Sequence, residues 1–247
     1  MNGGVLFSDA EVAFIASTYR VVVLSACVGS LNVSVASAIF NVTGRIKAQN
    51  PSIKVMQYFN MQMWACYNNQ TDPDYKTFLA NPQWWLRDDT GVPVMNNGSP
   101  QYDWQNLEAV AHWLLMPISR DGVTLDGFLL DGAAVYDPEA RINPTRAEAL
   151  KLAKWRAVGQ MQQRLTTASG GMILANGMAG GPIDPHVNDP FNLQVLGYAQ
   201  GIENERGSPV FELVDSVTGA FKKDAYVDNL AAVEAASQMS NGTKLVA

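Results

Sequence analysis

The feature that most constrains the fold of this chain is a short apolar run with an aspartate at each end. The run Phe-Leu-Leu at 128–130 follows Asp126-Gly127 and precedes Asp131-Gly132. An uninterrupted apolar run between turn residues is typical of a parallel strand that is buried on both faces. Such a strand tolerates a carboxylate only at its end. The segment therefore predicts a parallel sheet with Asp131 at a carboxyl strand end, where α/β barrels assemble their active sites.

Strand-like and helix-like segments alternate along the rest of the chain. Together with the strand that ends at Asp131, the apolar runs predict six strands, the other five at about 20–25, 53–60, 172–176, 195–203 and 245–247. Capped amphipathic segments predict helices after Ser8, at about 35–48, from the neighbourhood of Asp103 through 114, and at about 145–168 and 222–239. The section from 67 to 102, rich in Asn, Asp, Pro and Trp, is expected to be irregular. This alternation indicates βαβ units.

The fold class predicted from this order is α/β, of the (β/α)8 TIM-barrel type, as a single domain over residues 1–247. The barrel is expected to be incomplete at its carboxyl end, because the chain stops inside a strand and the last strand is missing. Its amino end, with only a stub at 4–7, is a second place where the barrel can be short. A doubly wound open sheet is the alternative, but no Gly-x-Gly-x-x-Gly turn or Walker loop follows the first strands.

Composition narrows the classes of partner. The net charge of −6 argues against a nucleic-acid partner, which needs a basic face. No apolar window approaches the roughly 18 residues of a membrane span. No metal or other cofactor is expected, because there is no Cys-x-x-Cys pair and the two histidines lack ligand spacing. His112 is expected to be a packing histidine with satisfied polar atoms.

Localisation is indicated only in part. Five Asn-x-Ser/Thr sequons point toward secretory passage, at Asn32, Asn41, Asn69, Asn97 and Asn241. The amino terminus lacks the basic start and long apolar core of a signal peptide. Either a mature secreted chain begins here or the protein is intracellular.

Polar side chains stand at the ends of several predicted strands. Asp131 and Glu203 are carboxylates from different strands, and such a pair, flanked by amides and aromatic rings, suits glycoside hydrolysis. Glu205 remains an alternative to Glu203, since strand-end register is uncertain by a couple of residues. Asn176 can equally be a turn residue before a glycine. The predicted substrate-binding residues are Tyr58, Asn60, Trp64, Trp85, Tyr136, Asn176 and Glu205.

Other acids and tryptophans have structural interpretations. Asp126 starts its strand and is expected to lie at the opposite end of the sheet in a linking role. The pair Asp88-Asp89 is expected to form a turn, and a position at the edge of the cleft is the second interpretation. Five loop aromatics can stack on sugar rings, although about two are expected in a groove and the rest in packing. They are Trp64, Trp84, Trp85, Trp104 and Tyr136.

The order of five motifs resembles a loose group of TIM-barrel glycoside hydrolases that includes the endo-α-1,4-polygalactosaminidase family. The motifs are Gln-Tyr-Phe-Asn at 57–60, Trp-Leu-Arg-Asp at 85–88, Leu-Asp-Gly-Phe-Leu-Leu-Asp at 125–131, Ala-Asn-Gly at 175–177 and Gly-Ile-Glu at 201–203. The resemblance implies that Asp131 is the nucleophile and Glu203 the acid/base, with Asn176 and Tyr58 lining the sugar site. Two departures are the missing eighth strand and the placement of Glu203 within Glu-Asn-Glu-Arg.

The predicted function is therefore a glycoside hydrolase that cleaves a polysaccharide or glycan by a retaining two-carboxylate mechanism. One alternative is a polysaccharide lyase acting on a uronate polymer, with Arg87, Arg141 or Arg206 neutralising the uronate carboxylate. A second alternative is a non-catalytic carbohydrate-binding barrel that uses the same groove. A serine hydrolase is disfavoured, since no Gly-x-Ser-x-Gly motif occurs.

Overall fold

A parallel sheet of six strands organises the structure, a computed structural model that describes residues 7–25, 28, 34–61, 72–96, 98–132, 142–176, 201–203 and 245–246. The strands pair in chain order, each parallel to the next. They are β1 (Val21–Leu24), β2 (Lys54–Asn60), β3 (Gly127–Asp131), β4 (Met172–Asn176), β5 (Gly201–Glu203) and β6 (Leu245–Val246). The six predicted strands are thus confirmed. Within the described residues β1 and β6 are the two edges, so the sheet is not closed into a barrel.

Five α-helices accompany the sheet in the described part of the chain. They are α1 (Asp9–Thr18), α2 (Val35–Gln49), α3 (Pro73–Leu79), α4 (Leu107–Leu114) and α5 (Pro144–Ser169). Ser8 begins α1 with a capping box, in which its hydroxyl accepts from the N–H of Glu11 and the Glu11 carboxylate accepts from the N–H of Ser8. Gly170 ends α5 in the left-handed conformation, as its sequence predicts. The predicted strand segment 195–200 and the predicted helix 222–239 lie outside the described residues.

The section expected to be irregular contains α3, which corrects the prediction. Asp72 caps this helix by accepting from the N–H groups of Asp74 and Tyr75, and Pro73 occupies its first turn. The other oxygen of Asp72 accepts from the N–H of Val35 at 2.8 Å, so one buried carboxylate joins the starts of α2 and α3. A helix of seven residues is too short to show a clear apolar period. In the sequence, only the Asp72-Pro73 pair indicates that a helix begins here.

The main hydrophobic core lies on one face of the sheet. Residues of β1 to β4 that alternate along the strands point to this face and are buried against α2 and α5. The strand residues are Leu24, Val55, Phe59, Phe128, Leu130 and Ile173, and the helix residues include Ile39, Ile46, Trp155, Val158 and Leu165.

The opposite face carries the polar strand ends. Met56 pairs with Gly127 and Asn60 pairs with Asp131, so Tyr58, Asn60, Leu129 and Asp131 share this face. All four are half-buried, whereas their neighbours on the core face are buried. In the described residues no helix is both long and apolar enough to cross a membrane.

Candidate active site

Asp131 ends β3, and its carboxylate accepts hydrogen bonds from Tyr58, Asn60 and Gly132. The Tyr58 hydroxyl donates to Oδ2 at 2.5 Å, and Asn60 Nδ2 donates to the same oxygen at 3.3 Å. The backbone N–H of Gly132 donates to Oδ1 at 2.8 Å. Because both oxygens are bonded, the carboxylate has a defined orientation at the carboxyl end of the sheet.

Strand register explains why these side chains meet. Asn60 is the register partner of Asp131, and Tyr58 lies two residues earlier on the same face of β2. The ends of the two strands are joined further by the Met61 N–H, which donates to the Asp131 carbonyl at 2.8 Å. The buried Trp104 indole then donates to the Met61 carbonyl at 3.2 Å. The structure thus brings together Tyr58, Asn60 and Asp131 from the predicted set.

A buried lysine that is not among the predicted site residues contacts the corner that follows Asp131. Gly132 turns the chain with φ 65°, a left-handed conformation that favours glycine. Its carbonyl accepts from Lys154 Nζ of α5 at 2.7 Å. Burial and the charge of Lys151 lower the pKa of Lys154 to about 7, and the attraction of Asp131 opposes this shift. The sequence contains one sign of this burial: Lys154 lies four residues from both Leu150 and Val158, on the apolar stripe of α5.

Backbone register relates Asn176 and Glu203 to this group. Asn176 pairs with Glu203 across β4 and β5. Leu130 pairs with Ala175 across β3 and β4, so one further step along both strands brings Asn176 level with Asp131. The strand positions of Asn60, Asp131, Asn176 and Glu203 therefore form one row at the carboxyl ends of four adjacent strands.

The remaining predicted site residues lie elsewhere. Trp85 packs against Phe78, with ring centroids 6.5 Å apart, and its indole N–H donates to the Phe78 carbonyl. These contacts belong to the packing around α3, and a role of Trp85 in sugar binding stays a prediction. Trp64, Tyr136 and Glu205 lie outside the described residues.

Asp126 lies at the amino end of β3, as predicted. Its carboxylate contacts Lys47 at 2.6 Å and Lys54 at 3.1 Å, and it accepts from the Val55 N–H at 2.9 Å. Burial acts to raise the pKa of Asp126, but these three donors together lower it below the usual range. The residue links α2, β2 and β3 and takes no part in the polar row.

Asp88 and Asp89 have separate structural roles. Asp88 Oδ1 accepts from the N–H groups of Thr90 and Val92, which is the predicted turn. Asp89 instead accepts from the N–H of Asn143 at 2.7 Å and pairs with Arg146 at 3.3 Å. It therefore ties the turn to the start of α5.

A cavity of about 510 Å³ lies on the flank of the sheet beside α3 and α4. His112 lines it and stacks on Trp84 at 4.8 Å between ring centroids. The expectation of a satisfied histidine was wrong, because its buried Nδ1 has no hydrogen-bond partner among the described residues. Burial lowers the pKa of His112, and Asp74 opposes the shift. In the same part of the chain, the buried Tyr102 hydroxyl and Trp113 indole nitrogen also lack partners.

Solved glycoside hydrolases are similar to this structure. The glycoside hydrolase domain of PelA from Pseudomonas aeruginosa has a TM-score of 0.56 at 14% identity, over 95% of this chain and 77% of that one. Trehalose-6-phosphate hydrolase (TreA) from Bacillus licheniformis has a TM-score of 0.58 at 10% identity, over 96% and 51%. The α-galactosidase TtGalA from Thermus thermophilus has a TM-score of 0.53 at 15% identity, over 98% and 48%.

At these identities the similarity shows the fold alone, an α/β fold with a parallel sheet like that of these TIM-barrel proteins. The chain spans about half the length of TreA and TtGalA. No protein-family model and no curated protein matches the sequence.

Proposed function

We propose that this chain is a retaining glycoside hydrolase in which Asp131 is the nucleophile and Glu203 the acid/base. In the first step an Asp131 oxygen forms a bond to the anomeric carbon while the bond to the leaving oxygen breaks. Glu203 gives its proton to that oxygen. In the second step Glu203 takes a proton from water, the water oxygen bonds to the anomeric carbon, and the Asp131 carboxylate is released.

The observation that carries this proposal is the held carboxylate at the end of β3. Hydrogen bonds from Tyr58, Asn60 and Gly132 reach both oxygens of Asp131 and orient its carboxylate at the carboxyl end of the sheet. A nucleophile needs such an orientation, because it must keep one approach direction toward the sugar. Asp126, at the amino end of the same strand, instead pairs with Lys47 and Lys54.

The position of Glu203 supports its assignment as the second carboxylate. Its strand, β5, is separated from β3 only by β4, so two strand spacings of about 4.8 Å each separate the two backbones. This backbone spacing fits the two-carboxylate site of a retaining enzyme, whose carboxyl groups lie about 5–5.5 Å apart. Glu205 remains the alternative acid.

The proposed substrate is a polysaccharide, and the resemblance to endo-α-1,4-polygalactosaminidases favours a galactosamine polymer. Asn60 and Tyr58 are placed beside the nucleophile, where an amide and a hydroxyl can also meet sugar hydroxyls. Further proposed substrate contacts come from Trp64, Trp85, Tyr136, Asn176 and Glu205.

Product release from galactosamine, neutral and uronic polysaccharides tests the function. Wild type should form new reducing ends, and Asp131→Asn and Glu203→Gln should each lose at least about 1,000-fold of the rate. Asp126→Asn is the matched control, because it removes a carboxylate from the same strand at the opposite end. Products with the ultraviolet absorption of an unsaturated uronate would indicate a lyase. Binding without any product would indicate a carbohydrate-binding barrel.

Azide separates the roles of the two acids. With an activated substrate, Glu203→Ala should be rescued by azide and give a glycosyl azide of retained configuration. Asp131→Ala should give the inverted azide, since azide then replaces the nucleophile. Rescue of Glu205→Ala in place of Glu203→Ala would move the acid/base role to Glu205.

A further inference from the structure

Lys154 occupies a position where a lysine is costly. It lies in the middle of α5 with only 6% of its surface exposed, next to the buried Trp155 and one turn from the buried Val158. Lysines are rarely this buried, because removing an ammonium from water carries a large free-energy penalty unless other groups compensate. The contacts of its amino group therefore indicate what the residue does.

The amino group binds the corner that presents the proposed nucleophile. Nζ donates to the Gly132 carbonyl at 2.7 Å, and the N–H of the same glycine donates to Asp131 Oδ1 at 2.8 Å. Gly132 is thus held on both sides, by Lys154 through its carbonyl and by Asp131 through its amide. The φ of Gly132 is 65°, a left-handed conformation that residues other than glycine rarely adopt, and the two hydrogen bonds hold the corner in it.

The amino group also interacts electrostatically with Asp131 itself. Asp131 on β3 attracts the ammonium, whereas Lys151 on the same helix repels it. Lys151 is in turn paired with Glu148 at 2.9 Å. Helix α5 also packs against β4, whose residues Met172–Asn176 include no titratable side chain. Because burial and Lys151 outweigh Asp131, the pKa of Lys154 falls to about 7, so its charge changes within the physiological range.

We propose that Lys154 is a positioning residue of the active site, which holds the Asp131–Gly132 corner from the helix side and supplies a positive charge behind the nucleophile. This inference rests on the proposed function, since it gives Lys154 a part in the reaction of Asp131. Lys154 does not touch the sugar in this role. A lysine that only ties α5 to β3 would affect folding and leave turnover per folded molecule unchanged.

Replacement of Lys154 separates these roles. Lys154→Met fills the same volume without charge and should fold, with kcat lowered about 10- to 100-fold and KM changed by less than about 3-fold. Lys151→Met is the matched control, because it removes the same charge from the same helix and should keep kcat within about 3-fold. A folded Lys154→Met with wild-type kcat would overturn the proposal and leave the hydrolase assignment intact.

Lys154→Arg adds a pH readout that a structural tie would not change. The guanidinium stays charged at high pH, whereas Lys154 loses its proton as the pH rises through about 7. The ratio of kcat for Lys154→Arg to kcat for wild type should therefore increase by about 3-fold or more between pH 6 and pH 9. A ratio that is constant with pH would contradict a role for the charge.

An activity-independent measurement distinguishes failure of this inference from failure of the proposed function. The Gly132 amide resonance of wild type should titrate with a midpoint near pH 7, and Lys151→Met should move that midpoint upward. The titration should vanish in Lys154→Met. Its persistence there would overturn the contact with Gly132. If the titration behaves as expected but no polysaccharide is cleaved, the corner is held by Lys154 and the hydrolase proposal is the part that fails.

Discussion

Tyr58 and Asp131 lie 73 residues apart in the chain, and their side chains are joined by a hydrogen bond of 2.5 Å across two adjacent parallel strands. The bond exists because strand register places both residues on the same face, at the end where the strands stop. The bond thus connects Tyr58, which the sequence shows only as an aromatic residue near a strand end, to Asp131, the proposed nucleophile.

Tyr58→Phe should lower kcat about 10- to 100-fold, because it removes the hydroxyl that orients Asp131 Oδ2 while it leaves the ring in place. KM should change less. The measurement is the rate of reducing-end formation on the best substrate. Tyr75→Phe is the control, since it removes a tyrosine hydroxyl that binds Ser99 on the α3 flank. Equal rates in the two variants would contradict an orienting role for Tyr58.

The strand that bears Asp131 could be predicted from sequence, because a buried parallel strand leaves a local pattern of apolar residues between turn residues. Its register against β2 follows the same pattern, which is why Tyr58, Asn60 and Asp131 were expected together. Lys154 could not be assigned in this way. Its spacing on the apolar stripe of α5 indicates only that it lies on the buried side of the helix. The carbonyl that its amino group reaches depends on how α5 packs against the sheet.

The sequence also could not predict which buried polar atoms beside the cavity lack a hydrogen-bond partner among the described residues. His112 was expected to be satisfied because most buried polar atoms are bonded. Whether a given nitrogen finds a donor or acceptor depends on the packing of α3 and α4, which no local pattern encodes.

Asp126→Asn should reduce the dependence of stability on acidic pH. The pKa of Asp126 is lower in the folded chain than in the unfolded chain, so its contribution is complete above the usual aspartate range, above about pH 5, and is lost as the pH falls through the lowered value. Urea unfolding should show wild type more stable by about 1 kcal/mol near pH 7, with the difference shrinking as the pH falls through the lowered pKa of Asp126. Asp121→Asn is the control, because Asp121 is exposed and pairs with Arg120 at the surface. A difference that does not change with pH would contradict the prediction.

Gly127→Ala should destabilise the fold by about 3 kcal/mol or more. A Cβ at this position would lie 2.0 Å from the Met172 carbonyl oxygen and 2.9 Å from Met56 Cε, so β3 and β4 would have to separate. Gly98→Ala is the matched control, since nothing lies within 4 Å of its added Cβ and only its φ of 80° opposes the substitution. That variant should lose about 1 kcal/mol. Chemical denaturation measures both, and similar losses would contradict the close approach of the strands.

Tyr102→Phe should leave the free energy of unfolding unchanged or raise it by up to about 1 kcal/mol. The Tyr102 hydroxyl is buried and finds no hydrogen-bond partner in the residues that the structure describes, so folding carries the cost of removing it from water and gains no bond in return. The ring itself stays packed against Phe78, with centroids 4.3 Å apart. Tyr75→Phe is the matched comparison. The Tyr75 hydroxyl is also buried but bonds to Ser99 Oγ at 3.3 Å, so its removal should lower the free energy of unfolding by about 1 kcal/mol. Urea denaturation of the two variants should therefore give changes that differ in sign or differ by at least about 1 kcal/mol. A loss in Tyr102→Phe as large as that in Tyr75→Phe would mean that the Tyr102 hydroxyl is bonded in solution, with a water in the neighbouring cavity as the partner that the geometry allows.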